Sequence, residues 1–476
     1  MVDEQIRRLA LSCLLLGYVG PRPPRWLLEA LGAGVGGVVL FGSNVGDGSD
    51  VRARTDRLRA AAGRDVTVAL DEEGGDVTRL DTRRGSAYPG AGALGHLDDA
   101  ETTTEVYAAI GARLADAGVT VNLAPVADVN VDPLNPVIGL RSFSADADVV
   151  ARQVAAAVHG VQRNGVAACV KHFPGHGATR SDSHHEVARL ERTSAELDTV
   201  EFAPFRAAIA AGVRAVMTGH LVAPALDDQN LATVSRAITT TTLRERLGFE
   251  GTVVTDALEM KAVSATIGMV EGFVQSLAAG ADAIETGALD YPELVQQIPR
   301  AVQDALREGR LTERRLNQAA VNAGRLAQPG KAAEFDRDLV VGAARRSLEV
   351  IGTVPQLHDP VLVECHPPGG MAGGELPWSL GAALGVEAQI VSEASPPPAL
   401  TADPNGRALI VVVRDPMRYL WQRPWIELAR ATPGSVLVDV GWPYEPLAGL
   451  TCVRTRGIAP GLIAAAADVI RAGGPR

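Results

Sequence analysis

At 476 residues the chain exceeds one typical domain, and two or three are expected. Apolar residues make up 46% and charged residues 21%, a core-forming balance that excludes a disordered chain. The formal charge is −11 with no basic block, which argues against nucleic acid as the main partner. Four cysteines (Cys13, Cys169, Cys365, Cys452) lie far apart and make no zinc spacing; Cys13 and Cys169 sit in apolar runs and read as buried thiols, which fits a reducing, cytoplasmic setting. No run reaches the ~20 apolar residues that a membrane span needs.

In chain order, the apolar run at residues 9–16 follows Arg7 and Arg8, but Asp3 and Glu4 cancel their charge. No small-x-small cleavage site follows, so a first buried strand is predicted rather than an export signal. A strand, loop and helix rhythm then repeats. Strands are predicted over residues 14–19, 37–41, 66–70, 119–124, 166–170, 215–218, 252–255 and 281–284. Helices fall between them, among them residues 51–62, 102–117, 148–164, 195–211 and 269–279, and two more follow the last strand.

Eight apolar strands alternating with helices predict a (β/α)8 TIM-like barrel rather than an open sheet. In such barrels the active site lies at the C-terminal strand ends, which here carry Asp71, Asp128, Lys171, His172, His220, Asp256 and Glu285. Pro329 and Gly330 mark a break, and residues 336–350 read as a connecting helix. A second αβ rhythm from about residue 355 predicts a smaller α/β sandwich domain. The expected division is a barrel over 1–330, a linker over 331–354 and a C-terminal α/β domain over 355–476. Neither GxGxxG nor GxxxxGK[ST] occurs, so no nucleotide cofactor is expected.

The densest chemistry is KHFPGHGATRSDSHH, residues 171–185, which holds four of the nine histidines. Pro174, Gly175 and Gly177 break regular structure after the fifth strand, so a loop carries these groups. In Asp182-Ser183-His184 the carboxylate can accept the imidazole Nδ1–H and support a general acid/base. Two further readings of that pair are solvated loop residues and metal ligands. The spacing fits no standard zinc pattern, and no metal is expected.

KHFPGHGATRSDSH resembles, nearly position for position, the signature of NagZ-type β-N-acetylglucosaminidases of glycoside hydrolase family 3. DEEGGDVTRL (residues 71–80), NLAPVADVN (122–130), NPVIGLRSF (135–143) and VVTDALEM (253–260) resemble further family segments in the same order. The resemblance covers roughly residues 5–330. It implies Asp256 as nucleophile, His184 as acid/base with Asp182 as its partner, and Asp71, Arg79, Arg141, Lys171 and His172 as sugar-binding residues. His185 is not the family position.

The implied activity is a retaining exo-β-N-acetylglucosaminidase that removes nonreducing terminal β-N-acetylglucosamine, with a covalent glycosyl-Asp intermediate. The implied partner is a small carbohydrate, an N-acetylglucosaminide from peptidoglycan fragments in the cytoplasm, with no nucleic acid and no membrane. A neutral imidazole base does not repel an anionic acceptor, so phosphate in place of water, giving a sugar 1-phosphate, is the alternative. A catalytically weak sugar-binding barrel is the alternative of a different class. Two positions depart from the family pattern: Asp76 stands where an Arg is usual, and Ala257 where a second acidic residue is usual.

Overall fold

The computed structural model describes residues 2–46, 50–180, 187–370, 372–395, 407–443, 445 and 449–473. Eight short strands carry the first two-thirds of the chain: β1 (Leu14–Leu16), β2 (Gly37–Val39), β3 (Thr67–Leu70), β4 (Val121–Asn122), β5 (Ala167–Phe173), β6 (Ala215–Thr218), β7 (Thr252–Thr255) and β8 (Ile284–Glu285). They form one parallel sheet in the order β8-β1-β2-β3-β4-β5-β6-β7. A parallel bridge between Val254 and Ala283 joins β7 to β8, so the sheet is a nearly closed (β/α)8 barrel.

Side chains alternate across each strand, which explains why these strands are apolar on both faces. Leu15, Val39, Ala69, Val121, Cys169, Met217, Val254 and Ala283 fill the barrel interior. Their strand neighbours Leu14, Val38, Val68, Ala168, Val216 and Val253 pack outward into the core shared with the helices.

Several predicted elements differ, two of them in kind or extent near the domain ends. Residues 9–16 are not a single strand: Glu4–Ser12 is a helix and β1 starts only at Leu14. Asp3 caps that helix, its Oδ1 accepting from the backbone N–H of Gln5 at 2.8 Å and of Ile6 at 3.2 Å. Its apolar residues Ile6, Leu9, Ala10 and Leu11 recur at helical spacing and pack on the core. The helix read over 336–350 is Arg337–Arg346, after which Glu349–Ile351 (β9) pairs antiparallel with a late strand. The β-branched pair Val350-Ile351 suits that edge position.

The last third forms a six-stranded sheet from β9, β10 (Val361–Cys365), β11 (Ala388–Val391), β12 (Leu409–Val413), β13 (Val436–Asp439) and β14 (Thr451–Arg454). Its order is β9-β14-β13-β12-β10-β11, and β10 to β14 are parallel. Along β12, Leu409, Val411 and Val413 enter one core cluster while Ile410 and Val412 enter the other, so both faces are covered. Strand order reverses at β10, which has β11 on one side and β12 on the other. The loops leaving such a switch point border a crevice, and here they face the barrel: Arg414, just after β12, is paired with Asp76 of the barrel.

All four cysteines are unpaired and buried. Among the described residues no helix is long and apolar enough to cross a membrane.

Candidate active site

The alternation that fills the barrel also builds the site. Ala69, Cys169, Val254 and Ala283 point into the barrel. Two residues further along, at the strand exits, stand Asp71, Lys171, Asp256 and Glu285. The top of the barrel is therefore a layer of ionisable groups on an apolar stack.

Lys171 is 2% exposed and joins two carboxylates, with Nζ 2.6 Å from Asp71 Oδ1 and 2.8 Å from Glu73 Oε1. Arg79 donates from Nη2 to Asp71 Oδ2 at 3.1 Å. Arg141 holds Glu73 with both arms, Nη2 to Oε1 at 2.8 Å and Nε to Oε2 at 3.0 Å. Burial opposes ionisation of Asp71, but Lys171 and then Arg79 overcome it and hold the carboxyl well below its usual range. Burial likewise opposes ionisation of Glu73, and Arg141 and Lys171 bring it down to about 2. Burial disfavours the Lys171 ammonium, yet Asp71 and Glu73 raise its proton affinity above the ordinary value. The network is thus charged in every member, with its geometry set by mutual pairing.

The loop after β3 is closed by Glu72. Its carboxylate Oε2 accepts from the backbone N–H of Arg79 at 2.9 Å and of Leu80 at 3.0 Å. Asn122 at the end of β4 brackets the same residue through its amide, at 3.0 Å and 2.9 Å. Gly75 lies at φ +56°, where a Cβ would meet Gly90 Cα at 2.5 Å. The turn that presents Arg79 requires this glycine on both counts.

Strand β5 continues through Lys171 and His172 to Phe173 rather than stopping before them. Phe173 is packed between Phe202, stacked at 5.7 Å, and Phe205, edge-on at 5.1 Å. The Lys171-His172 and Phe173-Pro174 peptide bonds are cis. Asp128, fully buried after β4, ties down the exit of β5. Its Oδ2 is 2.7 Å from His172 Nδ1, and its Oδ1 accepts from the backbone N–H of His176 at 2.6 Å. Burial pushes the His176 imidazole down to about 4 against the pull of Asp128, so this ring is neutral at physiological pH. Asp182, His184 and His185 lie outside the described residues.

Asp256 comes directly after β7, with its backbone N–H on Thr218 O at 3.0 Å. Its Oδ1 accepts from the backbone N–H of Ala257 at 2.8 Å, and the Ala257 carbonyl accepts from His220 Nε2 at 3.0 Å. Ala257 thus orients the carboxylate through its main chain, and His220 holds that main chain. Glu285, 4% exposed at the end of β8, has its Oε2 buried without a partner among the described residues. Burial, and then the neighbouring Asp256 and Asp71 charges, raise its pKa well above the usual carboxylate value. Glu285 therefore holds its proton more tightly than an ordinary glutamate, beside the ion-paired network around Lys171.

The structure joins Asp71, Arg79, Arg141 and Lys171 in one network. It fixes His172 beside it through Asp128 and sets Asp256 in the same barrel layer. Sequence reasoning passes over Glu73, although it shares a strand-exit parity with Asp71. It marks Asp128 and Glu285 as strand-end residues without giving them a role. Asp128 acts on groups 44 and 48 positions away, which no local pattern reveals.

Residues 24–326 match the family description "Glycosyl hydrolase family 3 N terminal domain". Beta-hexosaminidase A of Pseudoalteromonas piscicida is 32% identical over 318 residues, covering 61% of this chain and 53% of that protein. The chain thus spans about half the length of that relative. A beta-hexosaminidase of Tolumonas auensis is 37% identical over 281 residues, covering 57% of this chain and 83% of that protein. Among solved structures, a glycoside hydrolase family 3 beta-N-acetylglucosaminidase from Paenibacillus sp. str. FPU-7 superposes with a TM-score of 0.86 at 29% identity, covering 98% of this chain and 97% of that one.

Proposed function

The chain belongs to glycoside hydrolase family 3, and from that premise we propose that it is a retaining exo-β-N-acetylglucosaminidase acting on nonreducing terminal β-N-acetylglucosamine. The observation that carries the reading is the charged network of Asp71, Glu73, Arg79, Arg141 and Lys171, set in one barrel layer with Asp256. The names of the two relatives and of the superposed structure support the same sugar chemistry.

In this reading Asp256 Oδ attacks the anomeric carbon. A bond forms between that oxygen and C1 while the bond from C1 to the leaving oxygen breaks. His184, oriented by Asp182, gives its proton to the leaving oxygen. It then takes a proton from water as that water attacks C1 and frees Asp256. Asp71, Arg79, Arg141, Lys171 and His172 hold the sugar hydroxyls. Because Lys171 and Arg79 are already paired with Asp71, Arg141 with Glu73 and His172 with Asp128, these groups are oriented before the sugar arrives. The main-chain donor of Ala257 aims the Asp256 carboxylate without adding a second negative charge beside it. Fragments of peptidoglycan in the cytoplasm are the substrate this reading assigns.

The test is product analysis on an aryl β-N-acetylglucosaminide, with and without phosphate and in the presence of chelator. Free N-acetylglucosamine at a rate independent of phosphate is expected. A sugar 1-phosphate formed at a rate rising with phosphate would replace hydrolysis by phosphorolysis. Asp256→Ala is expected to abolish turnover. His184→Ala is expected to lose roughly 10²–10⁴-fold on a natural disaccharide and much less on an aryl glycoside with a good leaving group. Equal losses on both substrates would remove His184 as the acid.

A further inference from the structure

The segment 71–80 carries two of the sugar-binding groups, Asp71 and Arg79, and the six-stranded sheet touches it at three points. Beyond β10, the Ala372 carbonyl accepts from Arg79 Nη1 at 2.8 Å. Beyond β12, Arg414 donates from Nη2 to Asp76 Oδ2 at 2.7 Å. Beyond β14, the backbone N–H of Ile458 donates to Asp76 Oδ1 at 3.0 Å. Between these contacts Gly373 lies so close to the Asp76 carbonyl that a Cβ there would collide with it.

The Arg79 guanidinium is therefore held between two acceptors. One is Asp71, from the barrel. The other is a main-chain carbonyl from the C-terminal sheet, and Arg79 Nε is buried without a partner among the described residues. If the carbonyl is removed, the planar fork keeps one anchor and is free to turn about it. Asp76 takes the place of an arginine that the family pattern favours. Its carboxylate has two partners, and both come from the C-terminal sheet.

We propose that Arg414, through Asp76, clamps the segment 71–80 from the C-terminal sheet, and that Ala372 O orients Arg79 toward the sugar. Arg414 and Asp76 are positioning residues, and the second domain is a working part of the site. The inference rests on the reading that Asp71 and Arg79 contact the sugar.

Two variants open the clamp by different routes. Arg414→Ala removes the charge partner of Asp76. Gly373→Ala leaves every charge in place and forces the loop, with Ala372, away from Arg79. A third variant, Arg346→Ala, is the control. Arg346 also ties the C-terminal third to the barrel, through Thr102 Oγ1 at 2.8 Å and Asp99 Oδ2 at 2.5 Å, but it does not touch the segment 71–80.

Two readouts on the full-length chain decide the matter: steady-state kinetics on an aryl β-N-acetylglucosaminide, and backbone hydrogen exchange over residues 72–80. Arg414→Ala and Gly373→Ala are expected to lose about tenfold in kcat/KM, mostly through KM, the scale of one hydrogen bond to a charged group. Both are expected to exchange faster over 72–80, and Arg414→Lys is expected to recover part of both effects. Arg346→Ala is expected to lower the Tm while leaving both readouts near wild type. Unchanged KM and unchanged exchange in the first two variants would overturn the proposal, as would an equal effect from Arg346→Ala. If exchange rises in the first two alone but the wild type does not cleave the glycoside, the clamp stands and the assignment of the sugar falls.

Discussion

Lys171 and Glu285 sit in the same barrel layer and solve opposite problems. Lys171 keeps its charge because Asp71 and Glu73 are within 2.8 Å. Glu285 has no cation bonded to it among the described residues, and burial first, then the charges of Asp256 and Asp71, raise its pKa well above the usual carboxylate value. In the unfolded chain Glu285 ionises in the ordinary carboxylate range, while in the fold it holds its proton to higher pH. The folded state then binds more protons than the unfolded one, so this residue lowers stability as pH rises through that window. Each pH unit of such a gap amounts to about 1.4 kcal/mol. Glu285→Gln has no such titration. The Tm difference between Glu285→Gln and wild type is expected to grow in favour of the variant from pH 5 to pH 8, measured by calorimetry. A constant difference would mean that Glu285 is ionised in the fold. The strand-exit places of Asp256, Lys171 and Asp71 are legible because polar groups at the ends of apolar strands stand out. The protonation state of Glu285 is not legible, because it depends on which charges surround it in the folded barrel.

At the scale of elements, the exit of β5 carries the loop on which the acid/base chemistry is read. That segment is anchored at its start by Phe173 between Phe202 and Phe205, and then by Asp128 on His172 and His176. Gly177 passes against the Val129 carbonyl so closely that any Cβ would overlap it. Gly177→Ala must therefore move the loop away from the strand-β4 exit, at a cost of about 1–3 kcal/mol. If His184 is the acid, the displacement is expected to cut kcat on a natural disaccharide more than on an aryl glycoside with a good leaving group. A loss of the same size on both substrates, alongside the lowered Tm, would mean that the loop serves folding alone. The strands themselves are readable from their apolar runs, and β6 and β7 have the predicted bounds. The helix Glu4–Ser12 is not, since a short apolar run fits a strand and a buried helix turn equally well. The cap from Asp3 decides it.

At the scale of the molecule, the two sheets meet over the segment 71–80, and the ion pair of Asp76 with Arg414 is the charged part of that meeting. Asp76→Arg would set two guanidinium groups against each other and is expected to raise KM beyond the effect of Arg414→Ala. Combined with Arg414→Asp the pair is re-formed in reverse, and part of the loss in kcat/KM is expected to return; steady-state kinetics on the single and double variants measure the coupling. No return would mean that the Ile458 contact alone carries the clamp. The sequence by itself determined the barrel, its family and the strand-exit residues, because apolar periodicity and contiguous motifs are local and survive without knowledge of packing. Only the tertiary structure decided that Glu73 and Asp128 hold the site together, that Asp76 faces the second sheet, and that Arg79 rests on a carbonyl 293 residues away. The reason is physical: a backbone carbonyl has no side-chain identity to read, and its place beside Arg79 is set by how the two sheets dock.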